Sequence, residues 1–276
     1  MKKTILAFLL IFLFTTSCYG AGALAGIVSG GGAAAGVWSC TDANILCENF
    51  DGATDCGNDA ANAQNCANTW VVDETKGNAL FATADTVCAG KGTYVLHMEE
   101  ITDNSNAGVS ATFDAGATKS ISYFQGYFKM VNDIYADTAA ISPFTAYQST
   151  AGTLSYQVRF ERVSAGVYKI GLQYNNRTGW VIVYSATTNL ALNTWYGVRV
   201  YFESNKASGT GISWAIDYNL SGTFIDQSIA SPLTQDYPPR YWMTSSNYSD
   251  SLWLTQHVSV DMIKINSSAY PAASCP

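Results

Sequence analysis

Alternation of apolar and polar side chains governs this chain beyond its N-terminal region. Over residues 154–162, Leu154, Tyr156, Val158 and Phe160 form one set, and Ser155, Gln157, Arg159 and Glu161 form the other. A two-residue repeat is the mark of a strand with one buried face. Ser164, Ala165 and Gly166 then turn the chain, and 167–174 runs back with Tyr168, Ile170, Leu172 and Tyr174 on one side. Residues 175–179 turn it again into 180–184, which predicts a three-strand meander with short polar turns.

The same pattern recurs on either side. Over 195–203, Tyr196, Val198, Val200 and Phe202 oppose Arg199, Tyr201 and Glu203. Over 212–218, Ile212, Trp214, Ile216 and Tyr218 oppose Ser213, Ala215 and Asp217. Segments 94–98, 109–113 and 122–131 are strand-like, and 258–265 makes a last strand. Past the N-terminal region no segment sustains a 3.6-residue apolar period, and no long internal repeat points to a propeller or solenoid. Roughly a dozen strands with one buried face each require two sheets packed about 10 Å apart. The expected class is all-β, a two-sheet antiparallel sandwich.

The N-terminal pattern is different. Lys2 and Lys3 precede an unbroken apolar run over 5–14, which is too short to span a bilayer and reads as a signal peptide over 1–19. Thr15-Thr16-Ser17-Cys18 resembles a bacterial lipobox, which would make Cys18 a lipidation site. Ala21-Gly22-Ala23 and Ala23-Leu24-Ala25 fit a signal peptidase that would release the protein freely. Residues 20–39 are rich in Gly and Ala and read as a linker, leaving 40–276 as one domain. An exported location follows: extracellular, periplasmic or on the outer membrane, with membrane contact only through a lipid anchor.

Charge and cysteine content narrow the classes. The chain has 14 basic and 21 acidic residues; without Lys2 and Lys3 the balance is 12 against 21, or −9. No basic cluster runs along it, which excludes nucleic acid as the expected partner. Tyr 17, Trp 7 and Phe 12 with only 13% charged residues suit a protein that works on or near polysaccharide, and equally a well-packed sandwich. Besides Cys18 there are six cysteines: Cys40, Cys47, Cys56, Cys66, Cys88 and Cys275. An even number in an exported chain predicts three disulfides, and no pair has the spacing of a zinc knuckle.

The order of motifs is similar to the concanavalin A-like lectin/glucanase superfamily, in its laminin G-like branch. The residues that carry the resemblance are Leu46-Cys-Glu-Asn-Phe-Asp-Gly52, Gly92-Thr-Tyr-Val-Leu96, Gly126-Tyr-Phe-Lys129, Thr194-Trp-Tyr-Gly-Val-Arg-Val200, Trp214-Ala-Ile-Asp-Tyr218 and Val258-Ser-Val-Asp-Met-Ile-Lys-Ile265. The resemblance implies a jelly roll of two curved sheets, first and last strands side by side, and a concave face that often holds carbohydrate. It implies a structural Ca²⁺ with ligands at Glu48, Gly92 and Asp261, all hard oxygen donors. With the chain ends adjacent, Cys40 or Cys47 would reach Cys275, Cys56 would close a loop with Cys66, and Cys88 would take the remaining thiol.

Catalytic signatures of that superfamily are mostly missing. The Glu-x-Asp-x-Glu strand of laminarinase-type hydrolases is absent, and adjacent Glu99 and Glu100 point to opposite faces. Jelly-roll alginate lyases carry an Arg-rich strand, a Gln-x-His strand and a Tyr-bearing strand; Arg159-Phe-Glu-Arg162 resembles the first, but no Gln-x-His follows. His97 reads as a packed strand residue and His257 as the start of the last strand. The outward face of the central strands gathers Gln125, Tyr127 and Lys129, then Gln157, Arg159 and Glu161, then Lys169 and Gln173, then Arg199 and Tyr201. Amides, guanidinium groups and rings suit sugar hydroxyls and apolar sugar faces, and the same groups suit a solvated, ion-paired sheet face. Trp180, Tyr241, Trp242, Tyr248 and Trp253 form a second candidate rim.

The leading expectation is a secreted or lipid-anchored module that binds a polysaccharide or cell-surface glycan. A polysaccharide lyase or glycoside hydrolase is the alternative, with Arg159 neutralising a uronate, Gln173 orienting it, and Tyr127 or Tyr201 moving the proton. A structural surface protein without a small ligand is the third.

Overall fold

The computed structural model describes residues 44–48, 50, 71–73, 77–85, 87, 94–100, 110–114, 121–134, 140–148, 153–176, 179–187, 189–206, 208–227, 240–244 and 257–271. The signal, lipobox and linker regions, and Cys18, Cys40, Cys56, Cys66, Cys88 and Cys275, lie outside them. Cys47 is described only as a backbone position.

The described residues contain no helix. Fifteen strands form: β1 (Asn44–Glu48), β2 (Val71–Asp73), β3 (Gly77–Ala84), β4 (Tyr94–Glu100), β5 (Ser110–Asp114), β6 (Ile121–Met130), β7 (Ala140–Gln148), β8 (Thr153–Ser164), β9 (Val167–Asn175), β10 (Trp180–Tyr184), β11 (Trp195–Glu203), β12 (Ile212–Asp217), β13 (Ile225–Asp226), β14 (Arg240–Thr244) and β15 (His257–Asn266). An eight-strand sheet runs β13-β12-β11-β6-β15-β4-β3, with β1 also on β15; a seven-strand sheet runs β10-β9-β8-β7-β14-β5-β2. Every pairing is antiparallel. The result is a two-sheet jelly-roll sandwich.

The expected meander is present as β8, β9 and β10, and the first strand does lie beside the last. One edge of β15 pairs with β6, while the other is shared by β4 along His257–Val260 and by β1 from Ile263 to Asn266.

β15 also shows how the chain corrects its own pattern. Strict alternation from Val258 and Val260 would carry Met262 and Lys264 into the inter-sheet core. The register instead shifts between Asp261 and Lys264, with Met262 at φ 50. Such a bulge flips the parity of everything after it. Ile263 and Ile265 therefore enter the core beside Leu46, and Lys264 turns outward. The Asp261 carboxylate accepts the Met262 amide at 2.6 Å and holds the bulge.

The core between the sheets is aromatic. Phe124 of β6 stacks on Phe144 of β7 with ring centroids 4.0 Å apart, and both are fully buried. β7 carries Pro143 and still lies inside the seven-strand sheet. Its β8 register shifts between Ile141 and Phe144, and β14 pairs only from Phe144 onward, so no ladder bond is required of the missing amide hydrogen.

Replacing Phe144 by Ala should cost about 3–5 kcal/mol of stability, the usual penalty for an aromatic cavity in a closed core. Urea denaturation should show a lower midpoint with an unchanged slope.

Candidate functional site

Alternation separates the residues of each strand into core and outer sets, and pairing assigns those sets to sheets. Gln125, Tyr127 and Lys129 on β6, with Arg199 and Tyr201 on β11, belong to the outer face of the eight-strand sheet. Gln157, Arg159 and Glu161 on β8, with Lys169 and Gln173 on β9, belong to the outer face of the seven-strand sheet. The single surface expected from the sequence is thus two surfaces with the aromatic core between them. Arg159 and Gln173 do not meet Tyr127 or Tyr201. The sequence shows which way a side chain points on its strand, and not which sheet the strand joins.

On the eight-strand face the candidate residues are engaged with one another and with neighbouring segments. Gln125 and Tyr127 are fully buried, and Tyr127 packs in a small second cluster with Val87, Val95, Trp195, Met262 and Leu220. Arg199 donates from Nε to Gln125 Oε1 at 2.8 Å and from Nη2 to the Pro271 carbonyl at 2.9 Å. Its guanidinium lies 3.9 Å from the Phe224 ring centroid and 5.3 Å from that of Tyr270. Burial lowers its pKa, against the pull of Tyr127, Tyr270 and Asp217. Tyr201 donates to Glu203; burial and that carboxylate raise its pKa. Lys129 pairs with Asp85. His97 is buried with Nδ1 3.0 Å from Ser259 Oγ, as a packed strand residue should be, and His257 opens β15.

The seven-strand face is built around one carboxylate. Glu161 is buried, yet it accepts Arg159 Nη2 at 3.3 Å, Lys169 Nζ at 3.0 Å and the Tyr184 hydroxyl. Gln173 Oε1 accepts both Arg159 Nη1 at 2.6 Å and Gln157 Nε2 at 2.7 Å. The registers explain the grouping: Gln157, Gln173 and Ile182 form one cross-strand row, and Arg159, Gly171 and Tyr184 form the next. Gly171 supplies the necessary gap. A Cβ there would stand 2.9 Å from Tyr184 Cδ1 and 3.4 Å from Arg159 Cγ. Without it the Tyr184 ring lies across β9 to reach Glu161 on β8. The Lys169 ammonium sits 3.5 Å from the ring centroid, a cation–π contact.

Two cations share one anion here, so the cluster carries one net positive charge. Arg159 Nε is buried without a hydrogen-bond partner, an unmet donor of the kind that costs stability unless something accepts from it. Tyr184 is pushed up to about 12, first by burial, then by the hydrogen bond and charge of Glu161, with Arg159 pulling the other way. Its hydroxyl is a proton donor at neutral pH.

Tyr184 was not singled out from the sequence. The signal was available: Val181 and Val183 pack against the core, which turns Trp180, Ile182 and Tyr184 outward. Trp180 lies in β10 and is 49% exposed. Tyr241 and Trp242 are placed in β14 by backbone only, and Tyr248 and Trp253 lie outside the described residues. Of the calcium positions, Asp261 is buried in the bulge, Glu48 is opposite Ile263 in the β1–β15 register, and Gly92 lies outside the described residues. Among the described residues no group of three His, Cys, Asp or Glu side chains comes together.

No protein-family model matches the chain. No curated protein sequence matches it. Solved structures do. An alginate lyase, with one lysine and one tyrosine replaced by alanine and an alginate tetrasaccharide bound, superposes with TM-score 0.53 at 12% identity, over 84% of this chain and 100% of that one. A botulinum neurotoxin type C structure, described as dependent on two ganglioside molecules for cell entry, gives TM-score 0.51 at 8% identity, over 84% of this chain and 49% of that one. The binding domain of botulinum neurotoxin serotype C1 gives TM-score 0.51 at 10% identity, over 84% and 50%. At these identities the likeness establishes the fold.

A methyl group at Gly171 should dislodge the Tyr184 ring. The phenol of G171A should then titrate nearer 10 than 12, read by ultraviolet absorbance against a Y184F control. The linkage sign is fixed: a raised tyrosine contributes stability below pH 10 that is lost as pH rises through about 12. Wild-type melting temperature should therefore fall more steeply than that of Y184F across pH 10 to 12.

Proposed function

We propose that the outer face of the seven-strand sheet binds an acidic polysaccharide, and that the protein is an exported glycan-binding module, released or lipid-anchored through Cys18. The observation that carries this reading is the Arg159–Lys169–Glu161 cluster: two cations against one carboxylate, with two glutamines in line beside it. Guanidinium and ammonium groups grip a uronate or sialate carboxylate, and amides read neighbouring hydroxyls. The fold is shared with a lyase structure holding an alginate tetrasaccharide and with a toxin tied to gangliosides, both glycans that carry carboxylates.

A second reading, elimination by a uronate lyase, is favoured by one feature. Lys169 and Tyr184 touch on the two strands at one edge of the sheet, and a lysine and a tyrosine are the two residues replaced in the alginate-bound lyase structure. In that reaction a base removes the C5 proton, C4=C5 forms, C4–O breaks, and the leaving oxygen takes a proton. A phenol held near 12 beside Glu161 suits the last step and opposes the first, so binding is the leading reading.

Calorimetric titration tests it. Alginate or polygalacturonate should bind, the neutral glucan laminarin should not, and affinity should fall with added salt. R159A and K169A should each lose about ten-fold or more, as expected for a charge-assisted hydrogen bond of about 1.5–3 kcal/mol. Equal binding of laminarin and alginate would overturn the proposal. Growth of ultraviolet absorbance from an unsaturated product, lost in Y184F, would replace it with the lyase reading.

A further inference from the structure

We infer that Trp180 is a stacking subsite at the far end of the same face, which makes the ligand a linear acidic oligosaccharide and not a single sugar. This rests on the acidic-glycan reading above.

Three observations carry the inference. Trp180 is 49% exposed, and the other exposed large apolar residues among those described, Val163 and Ile225, are aliphatic. A half-exposed indole on an ordered strand leaves an apolar ring face on which a sugar can stack. The backbone that leads into Trp180 is also fixed. The turn before it is closed by the Asn176 amide donating to the Gly179 carbonyl at 3.1 Å, and by the Gly179 amide donating to Asn176 Oδ1 at 3.0 Å. Finally, Trp180 shares its face with the charged cluster, since Val181 and Val183 point to the core. It stands opposite Asn175, while Ile182 stands opposite Gln173 and Tyr184 opposite Gly171.

The spacing sets the ligand. Trp180 and Tyr184 are four residue steps apart along β10, about 13 Å at the usual rise. That is longer than one pyranose ring. Along it the chemistry changes from cation and phenol, through amide and aliphatic, to an indole face. A chain with a carboxylate at one end, hydroxyls between, and the C–H face of a further sugar at the other end meets each group in turn. The indole supplies apolar area and no charge, so it discriminates by chain length and not by acidity.

The test uses the whole purified protein, with uronate monomer, dimer and tetramer prepared from alginate as titrants in calorimetry. Wild-type affinity should rise steeply from dimer to tetramer. W180A should lose about ten-fold on tetramer, the scale of one aromatic stack, and nothing on monomer or dimer. W180F should recover most of the loss, and the melting temperature of W180A should match wild type. Tetramer binding unchanged in W180A but lost in K169A would overturn this inference and leave the acidic-glycan reading standing. Equal losses on monomer and tetramer would overturn the inference too. Failure of wild type to bind any of the titrants would overturn both.

Discussion

An aromatic seam joins the two sheets, and the arrangement of everything outside them depends on it. Phe124 of the eight-strand sheet stacks on Phe144 of the seven-strand sheet, Phe144 touches Tyr156, and Tyr156 reaches back to Phe202 of the first sheet. These rings are buried, and their size fixes how closely the layers approach. Each strand gives its inner face to that seam, so only alternate residues remain for chemistry. On β8 and β9 those are the charged and amide residues of the Glu161 cluster.

The two outer faces start from similar side chains and end differently. Arg199 and Arg159 are each flanked by a glutamine in the neighbouring strand. Arg199 is then enclosed by the Phe224 and Tyr270 rings and the Pro271 carbonyl, which desolvates its charge. Arg159 keeps a buried Nε without a partner and faces Glu161, already shared with Lys169 and Tyr184. A closed guanidinium fastens a C-terminal segment to a sheet. A guanidinium in a cluster with excess positive charge is the better partner for an outside anion.

Strands with unbroken alternation were legible in the sequence almost to the residue: β8 to β12 stand where the apolar sets put them, because a half-buried strand has no other way to sort its side chains. The strands that escaped notice lack that pattern for physical reasons. β7 contains Pro143, which the bulge beside Ile141 and Phe144 tolerates. β3 shifts its register between Leu80 and Thr83, and β2 and β13 are only three and two residues long; β14 was not read either. The bulge at Met262 could not be read either, since it depends on Asp261 bonding the next amide. For the site, the residue types were legible and the grouping was not. Sequence separates Arg159 from Phe160 by parity, but only pairing partners tell that Tyr127 and Tyr201 lie beyond the core from Arg159.

Glu161 is what orders the side chains of the seven-strand face. Two cations and a phenol brought together on a bare sheet would repel and wander; a buried carboxylate fixes all three before any ligand arrives. Gly171 makes that geometry possible by leaving the space the Tyr184 ring crosses. An arriving carboxylate would compete with Glu161 for groups already in position, so little ordering entropy would be lost on association. It would also meet a local field opposite to that of the chain, whose overall charge is −7.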